Sequence, residues 1–271
     1  MALSDVSLTA GMRSNLLQLQ GTAKLIDRTQ ERLSTGKQVN SALDNPTNFF
    51  AAQAATNRAN DFSSRKDAMG EAIQNVKAAD AGITAITSLV EAAKGLAEAA
   101  LGTSSTVDRA AFATQFGQLQ TQISSLASDS GYRGTNLLNG QNLTVNFNED
   151  ASASLTVNAF TATATGLTIN NAANSWAGSA DVTAAQADLK TATDELRKQS
   201  KSLAGNLNII TTRQNFTDKM IGTLTTGADN LTLADMNNEG ANMLMLQTRQ
   251  SLGTTALSMS SQAAQSVLRL F

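Results

Sequence analysis

Residues 69–100 read MGEAIQNVKAADAGITAITSLVEAAKGLAEAA, and apolar residues recur along this stretch at alternating steps of three and four. They are Met69, Ala72, Val76, Ala79, Ile83, Ile86, Val90, Ala93, Ala97 and Ala100. Only a helix places residues at that spacing on one face. A strict seven-residue repeat indicates a supercoil with partner helices. Because half of the stripe is alanine, these partners are expected to approach closely.

Similar patterns outside this stretch predict the partner helices. A first helix is expected over residues 1–35. The second is expected to begin at Pro46, capped by Asn45, and to run to about residue 101. A third helix should follow the turn at residues 102–106. The last helical region is expected from Asp181 onward, with one break between residues 222 and 240.

Residues 134–180 have a different pattern. Val145 and Phe147 alternate with polar residues, as do Leu155 and Val157, and residues 148–150 lie between the two runs. Period-two alternation on both sides of a polar bend predicts a β-hairpin. No charged residue occurs from Ala151 to Ala180, and the whole segment is expected to be a surface insert.

The expected fold is therefore mainly α: a long antiparallel coiled-coil helix bundle with both termini together and a small β-hairpin insert in the middle. The residues expected to form the bundle core are the large apolar members of the heptad repeats. They are Met69, Val76, Ile83, Ile86, Val90, Phe116, Leu119, Ile123, Leu196, Leu203 and Ile210.

The composition argues against catalysis. The chain has no histidine and no cysteine, which removes the commonest general base and the usual zinc and copper ligands. Glu149-Asp150 and Asp194-Glu195 are adjacent acids that could form half of a hydrolase pair or a calcium site, but they are more typical of a solvated turn and a solvated helix face. No catalytic, cofactor-binding or metal-binding residue is expected, and the protein is not expected to be an enzyme.

The net charge of −2 predicts no binding to nucleic acid. No apolar run is long enough for insertion into a membrane. The first 14 residues lack the basic and apolar regions of a signal peptide. Secretion, if it occurs, is therefore expected without a cleaved signal peptide.

Four segments, in order along nearly the whole chain, resemble bacterial flagellins. They are residues 32–46 (RLSTGKQVNSALDNP), residues 130–138 (SGYRGTNLL), residues 234–250 (ADMNNEGANMLMLQTRQ) and residues 263–271 (AAQSVLRLF). The resemblance is to a short, alphaproteobacterial-type flagellin. It implies a homopolymer of many copies in the extracellular flagellar filament, which drives swimming motility. It also implies export by the flagellar apparatus with a chaperone, and contacts with cap and hook-junction proteins.

The resemblance further implies three regions. Residues 1–40 and 236–271 would be inner-tube helices that fold on assembly, and residues 44–235 a rod-like bundle with its β insert at about 134–180. An inner polymerisation seam is expected at Leu16, Leu19, Ala23, Ile26, Leu33, Leu252, Ala256, Met259, Ala263 and Leu270. The alternative for the two ends is that they pair only with each other. The alternative functions are a hook–filament junction adaptor of the same family and a secreted helical adhesin or effector.

Overall fold

The computed structural model describes residues 10–268, with side chains through Ser266. The helices are α1 (Ala10–Thr35), α2 (Pro46–Gly102), α3 (Thr106–Asp129), α4 (Ser179–Thr232) and α5 (Met236–Leu268). The strands β1 (Leu143–Asn146) and β2 (Ser154–Val157) pair antiparallel. The expectation of a mainly helical fold with a small β-hairpin is confirmed.

The chain divides into two compact units. Unit 1 combines the residues up to Asn57 with those from Leu224 onward, and unit 2 is Arg58–Thr223. Helices α2 and α4 each contribute residues to both units.

The core of unit 2 is built on the heptad stripe of α2. All ten stripe residues between 69 and 100 are buried, and so is Phe62 one heptad upstream. Gly82 lies on the same helix, where an added Cβ would come within 2.6 Å of a Leu138 methyl carbon. Small residues on α2 therefore let other parts of the chain approach its backbone closely.

Helices α3 and α4 contribute the other large core side chains of unit 2. Phe116 and Ile123 on α3 are fully buried, while Leu119 is half-buried against the same cluster. On α4 the residues at heptad spacing are buried as well: Leu189, Leu196, Leu203 and Ile210. Each remaining residue of the expected bundle core, on α2, is also buried: Met69, Val76, Ile83, Ile86 and Val90.

The helix boundaries follow local capping chemistry. The Asn45 side-chain oxygen accepts a hydrogen bond from the Asn48 amide (3.1 Å), and Pro46 is the first helical residue of α2. Ser105 caps α3 by accepting from the Asp108 amide (3.2 Å). The break expected between residues 222 and 240 lies at residues 233–235, between α4 and α5. Helix α4 begins at Ser179, two residues earlier than predicted.

The expectation that residues 134–180 form a surface insert is wrong. Only eight of these residues form strands, and much of the remainder enters the core of unit 2. The buried residues outside the strands include Leu137, Leu138, Ala162, Ala164, Leu167, Ile169 and Trp176. Trp176 packs on Phe116 with ring centroids 4.9 Å apart. The segment thus covers α3 with apolar side chains that show no regular period in the sequence.

Buried amides hold this segment in place. The Gln120 side chain on α3 donates hydrogen bonds to the carbonyls of Ile169 (3.0 Å) and Asn170 (2.9 Å). The Asn136 side chain donates to the carbonyls of Ala127 and Ser128, both at 2.9 Å, in the last turn of α3. Buried polar groups usually have such partners, because leaving them unpaired is costly.

Candidate polymerisation interface

Helices α1 and α5 of unit 1 pack against each other. Two contacts define their direction: Arg32 meets Glu239, and Leu19 lies over Gly253. Residue numbers fall on α1 as they rise on α5, so the helices are antiparallel. A Cβ at position 253 would lie 2.7 Å from a Leu19 methyl carbon, so Gly253 permits this close approach.

An ion pair fixes the register of the two helices. Arg32 Nη1 donates to Glu239 Oε1 at 2.9 Å, and the Glu239 side chain is only 10% exposed. A carboxylate so far removed from water requires a charged or hydrogen-bonding partner. Sequence reasoning missed this pair, although Glu239 is the one acidic residue in the long C-terminal helix α5.

Backbone hydrogen bonds join the segment that follows α1 to the segment that precedes α5. The Gln38 amide donates to the Thr232 carbonyl (2.8 Å), and the Ala234 amide donates to the Gly36 carbonyl (3.0 Å). Gly36 has φ +69°, a conformation that suits glycine. Asp235 Oδ1 then caps α5 by accepting from the Asn237 amide (3.0 Å).

A second turn connects these hydrogen-bonded residues to α2. Asp44 Oδ2 accepts hydrogen bonds from the amides of Ser41 (2.9 Å) and Asn40 (3.1 Å) and from the Ser41 hydroxyl (3.0 Å). The hydrogen bond from the Ser41 amide is the largest cause that lowers the pKa of Asp44 from its ordinary value. The charged form of Asp44 therefore stabilises this turn.

The predicted seam residues lie at different depths in the helix pair. Leu19, Ala23, Ile26, Leu33 and Ala256 are half-buried. Leu16, Leu252, Met259 and Ala263 are exposed. Leu270 lies outside the described residues. The described seam positions therefore include both half-buried and exposed side chains.

A solvent-exposed face of α5 carries an apolar stripe, which we call the open stripe: Met245, Leu252 and Met259. These residues are spaced by seven and are 47%, 66% and 60% exposed. The same repeat is buried upstream, at Leu203 and Ile210 on α4. A heptad seam is stable when it packs against another helix. Because the open stripe is exposed, it has no such helical partner within the described residues.

Helix α1 also carries exposed apolar side chains. Leu17 is 68% exposed and Leu25 is 45% exposed, and neither was included in the predicted seam. Leu25 also lines a groove of about 670 Å³ between the two helices, together with Leu19, Leu252 and Ala256. Exposed apolar side chains grouped in this way mark an interaction site. Because Leu17 and Leu25 fall outside the three–four spacing used for the seam, periodicity alone did not select them.

The described residues 10–268 contain no helix whose length and hydropathy would let it cross a membrane. Within the same range no three acidic side chains group together as they would around a metal ion.

An uncovered coiled-coil surface on a helical chain is typical of structural proteins that self-assemble. Comparisons with known proteins identify the family within this class. Residues 7–143 match the model of the bacterial flagellin N-terminal helical region. Flagellins FljM and FljO of Caulobacter vibrioides are 32% and 31% identical to the chain, with all of both chains covered. A flagellin of Brucella melitensis is 30% identical, with 99% of each chain covered.

The solved structure of Bacillus cereus flagellin aligns with a TM-score of 0.48 at 18% identity, covering 54% of this chain and 86% of that one.

The chain belongs to the bacterial flagellin family, of the alphaproteobacterial type. It is a structural subunit of the flagellar filament, which is extracellular. The junction-adaptor and secreted-adhesin alternatives are not favoured.

Proposed function

We propose that the filament assembles through the α1–α5 pair, with the predicted seam residues as its inner polymerisation contacts. The observation that carries this proposal is the open stripe, because three large side chains at heptad spacing face solvent on α5. In the filament the open stripe packs against the terminal helices of neighbouring copies. The groove between α1 and α5 accommodates side chains from those copies.

Residues 1–40 and 236–271 form the inner tube in this proposal, and residues 44–235 form the surrounding rod. Two interruptions of the helices support these boundaries: the turn at residues 36–45 and the break at residues 233–235. The boundaries between the two compact units differ from these: they lie inside α2, after Asn57, and inside α4, after Thr223.

The terminal helices reach their full stability only on assembly. Among the described residues of α1 and α5, Met12 and Leu246 are the only large apolar side chains that are buried, whereas others such as Leu17, Leu252 and Met259 are exposed. An isolated pair of this kind buries little apolar area, and isolated helices are marginal in water. Burial of the open stripe by neighbouring copies supplies the missing stabilisation.

The similarity to flagellins supports the remaining partners of this proposal. The subunit is exported through the flagellar apparatus with the help of a chaperone. It is then added beneath a cap, on a filament that begins at the hook-junction proteins.

The test is seeded filament growth of the variant Leu252→Asp. Leu252 is 66% exposed, so the substitution leaves the folded monomer intact while placing a charge in the seam. Gln250→Asp, at an exposed position two residues away, is the matched control.

Loss of growth for Leu252→Asp, with normal growth for Gln250→Asp and unchanged circular dichroism for both monomers, supports the seam. Growth of Leu252→Asp at the wild-type rate overturns it.

A further inference from the structure

The methionine side chains of the chain differ sharply in their exposure. The chain has eight methionines and no cysteine. Met12 and Met69 are buried, at 7% and 0% exposure, and Met220 and Met243 are half-buried. All of the exposed methionines among the described residues lie on α5: Met236, Met245 and Met259.

Two of these exposed methionines belong to the open stripe. Met245 and Met259 are 47% and 60% exposed, and Leu252 lies between them at heptad spacing. Met236 is also 47% exposed, but it precedes Met245 by nine residues. Nine residues correspond to about two and a half helical turns, so Met236 lies on the opposite side of α5 from the open stripe.

The other side chains that oxidants commonly attack are shielded in the described part of the chain. Trp176, the only tryptophan, is fully buried, and Tyr132, the only tyrosine, is half-buried. Methionine is a common target of oxidation, and its thioether sulfur must be reached by the oxidant. A soluble oxidant therefore meets the exposed methionines of α5 first.

Oxidation of a thioether by hydrogen peroxide is a two-electron step. The sulfur lone pair attacks one peroxide oxygen, an S–O bond forms and the O–O bond breaks. The hydroxyl that leaves takes the proton of the transferred oxygen and departs as water. Sulfur is oxidised and peroxide is reduced, and the product carries a polar sulfoxide in place of an apolar thioether.

A sulfoxide opposes burial of the open stripe between helices. A polar oxygen that leaves water without gaining a hydrogen bond is costly to bury. Helix α5 offers few partners near Met259, because Arg249, ten residues upstream, is the last charged residue of that helix. One turn before Met259, the Thr255 hydroxyl already donates to the Ser251 carbonyl at 2.9 Å. The free subunit can hydrate a sulfoxide here, whereas an apolar seam cannot.

We propose that Met245 and Met259 form a peroxide-sensitive modification site whose oxidation excludes the subunit from the filament. The modification acts on free subunits, in which both thioethers are exposed. It is reversible, because methionine sulfoxide reductases restore the thioether. This role rests on the proposed function, since it requires the open stripe to be a polymerisation contact.

The test compares seeded growth of full-length subunits with and without prior treatment with hydrogen peroxide, which is removed before seeds are added. Peptide mass spectrometry identifies the oxidised methionines. Treated wild-type subunits are expected to grow slower by about tenfold or more, and the two sulfoxide reductases should restore their growth.

Two variants locate the effect, each compared with its own untreated subunits so that a change in basal growth does not enter the result. The double variant Met245→Leu/Met259→Leu lacks the reactive sulfurs of the open stripe and should lose little of its growth on treatment. Met236→Leu removes the exposed methionine on the other side of α5 and is the matched control. It should lose as much growth as wild type.

Treated wild-type subunits that carry both sulfoxides and still grow at the untreated rate would overturn the proposal. An equal loss for the double variant, or no recovery with the reductases, would do the same. Circular dichroism should not change on treatment, because the oxidised side chains are exposed; a loss of helix would also contradict a seam effect. A failure of the proposed function is distinct, because untreated Leu252→Asp subunits would then grow at the wild-type rate.

Discussion

Trp176 allows a sharp prediction about the stability of unit 2. It is the only tryptophan in the chain, it is fully buried, and its ring packs on Phe116. Its indole N–H is buried without a hydrogen-bond partner. Two substitutions separate these features: Trp176→Ala removes the packed ring and the N–H, whereas Trp176→Phe keeps an aromatic ring and removes the N–H.

The expected magnitudes differ. Replacing a buried tryptophan by alanine typically costs about 3–5 kcal/mol, which is a large fraction of an unfolding free energy of about 5–15 kcal/mol. Trp176→Phe loses less volume and also removes an unpaired donor whose burial costs about 1–3 kcal/mol. The two effects oppose each other, so the net change for Trp176→Phe should lie within about 1 kcal/mol of wild type.

The assay is urea unfolding of the full-length monomer, followed by far-ultraviolet circular dichroism because both variants lack the fluorescent residue. The reasoning predicts a much lower unfolding midpoint for Trp176→Ala and a nearly unchanged one for Trp176→Phe. Equal losses for the two variants would refute the role given to the unpaired N–H. A loss below about 1 kcal/mol for Trp176→Ala would refute the packing of the segment on α3.

Three further predictions test other parts of the molecule. Ala97→Leu places a larger side chain at a fully buried position of α2 and should lower the free energy of unfolding in urea by about 1–3 kcal/mol. Ala99→Leu, on the exposed face of the same helix, should change it by about 0.5 kcal/mol or less. Because the pKa of Asp44 is lowered in the folded chain, its stabilisation is present above the unfolded-state pKa and is lost as pH falls through the folded value. Hydrogen exchange of residues 38–48, corrected for intrinsic rates, should therefore lose protection on acidification in wild type more than in Asp44→Asn. Glu239→Ala leaves Arg32 unpaired and should destabilise the helix pair by about 1–3 kcal/mol, measured as faster exchange in α1 and α5; unchanged exchange would contradict the register role of this ion pair.

The heptad repeats predicted the helices because their signal is strictly local. The stripe on α2 is buried at each of its ten positions, and Asn45 and Pro46 mark where that helix begins. The hairpin was predictable for the same reason, since alternation at Val145 and Leu155 requires only neighbouring residues.

The packing of residues 158–176 was not predictable in this way. Its burial depends on Gln120 hydrogen bonds and on the fit of Trp176 against Phe116, which join residues far apart in sequence. Likewise, Leu203 on α4 and Leu252 on α5 belong to one seven-residue repeat in the sequence, but Leu203 is buried and Leu252 is exposed. The repeat indicates that a residue needs a helical partner, but it does not indicate whether that partner lies in the same chain.

The most direct test of the central claim is the accessibility of the open stripe before and after assembly. Because the chain has no cysteine, Leu252→Cys introduces a single thiol whose reaction rate with a soluble reagent reports exposure. The account predicts rapid labelling in the monomer and labelling slower by about tenfold or more in the filament. Equal labelling rates in the monomer and the filament would show that the open stripe is not a polymerisation contact.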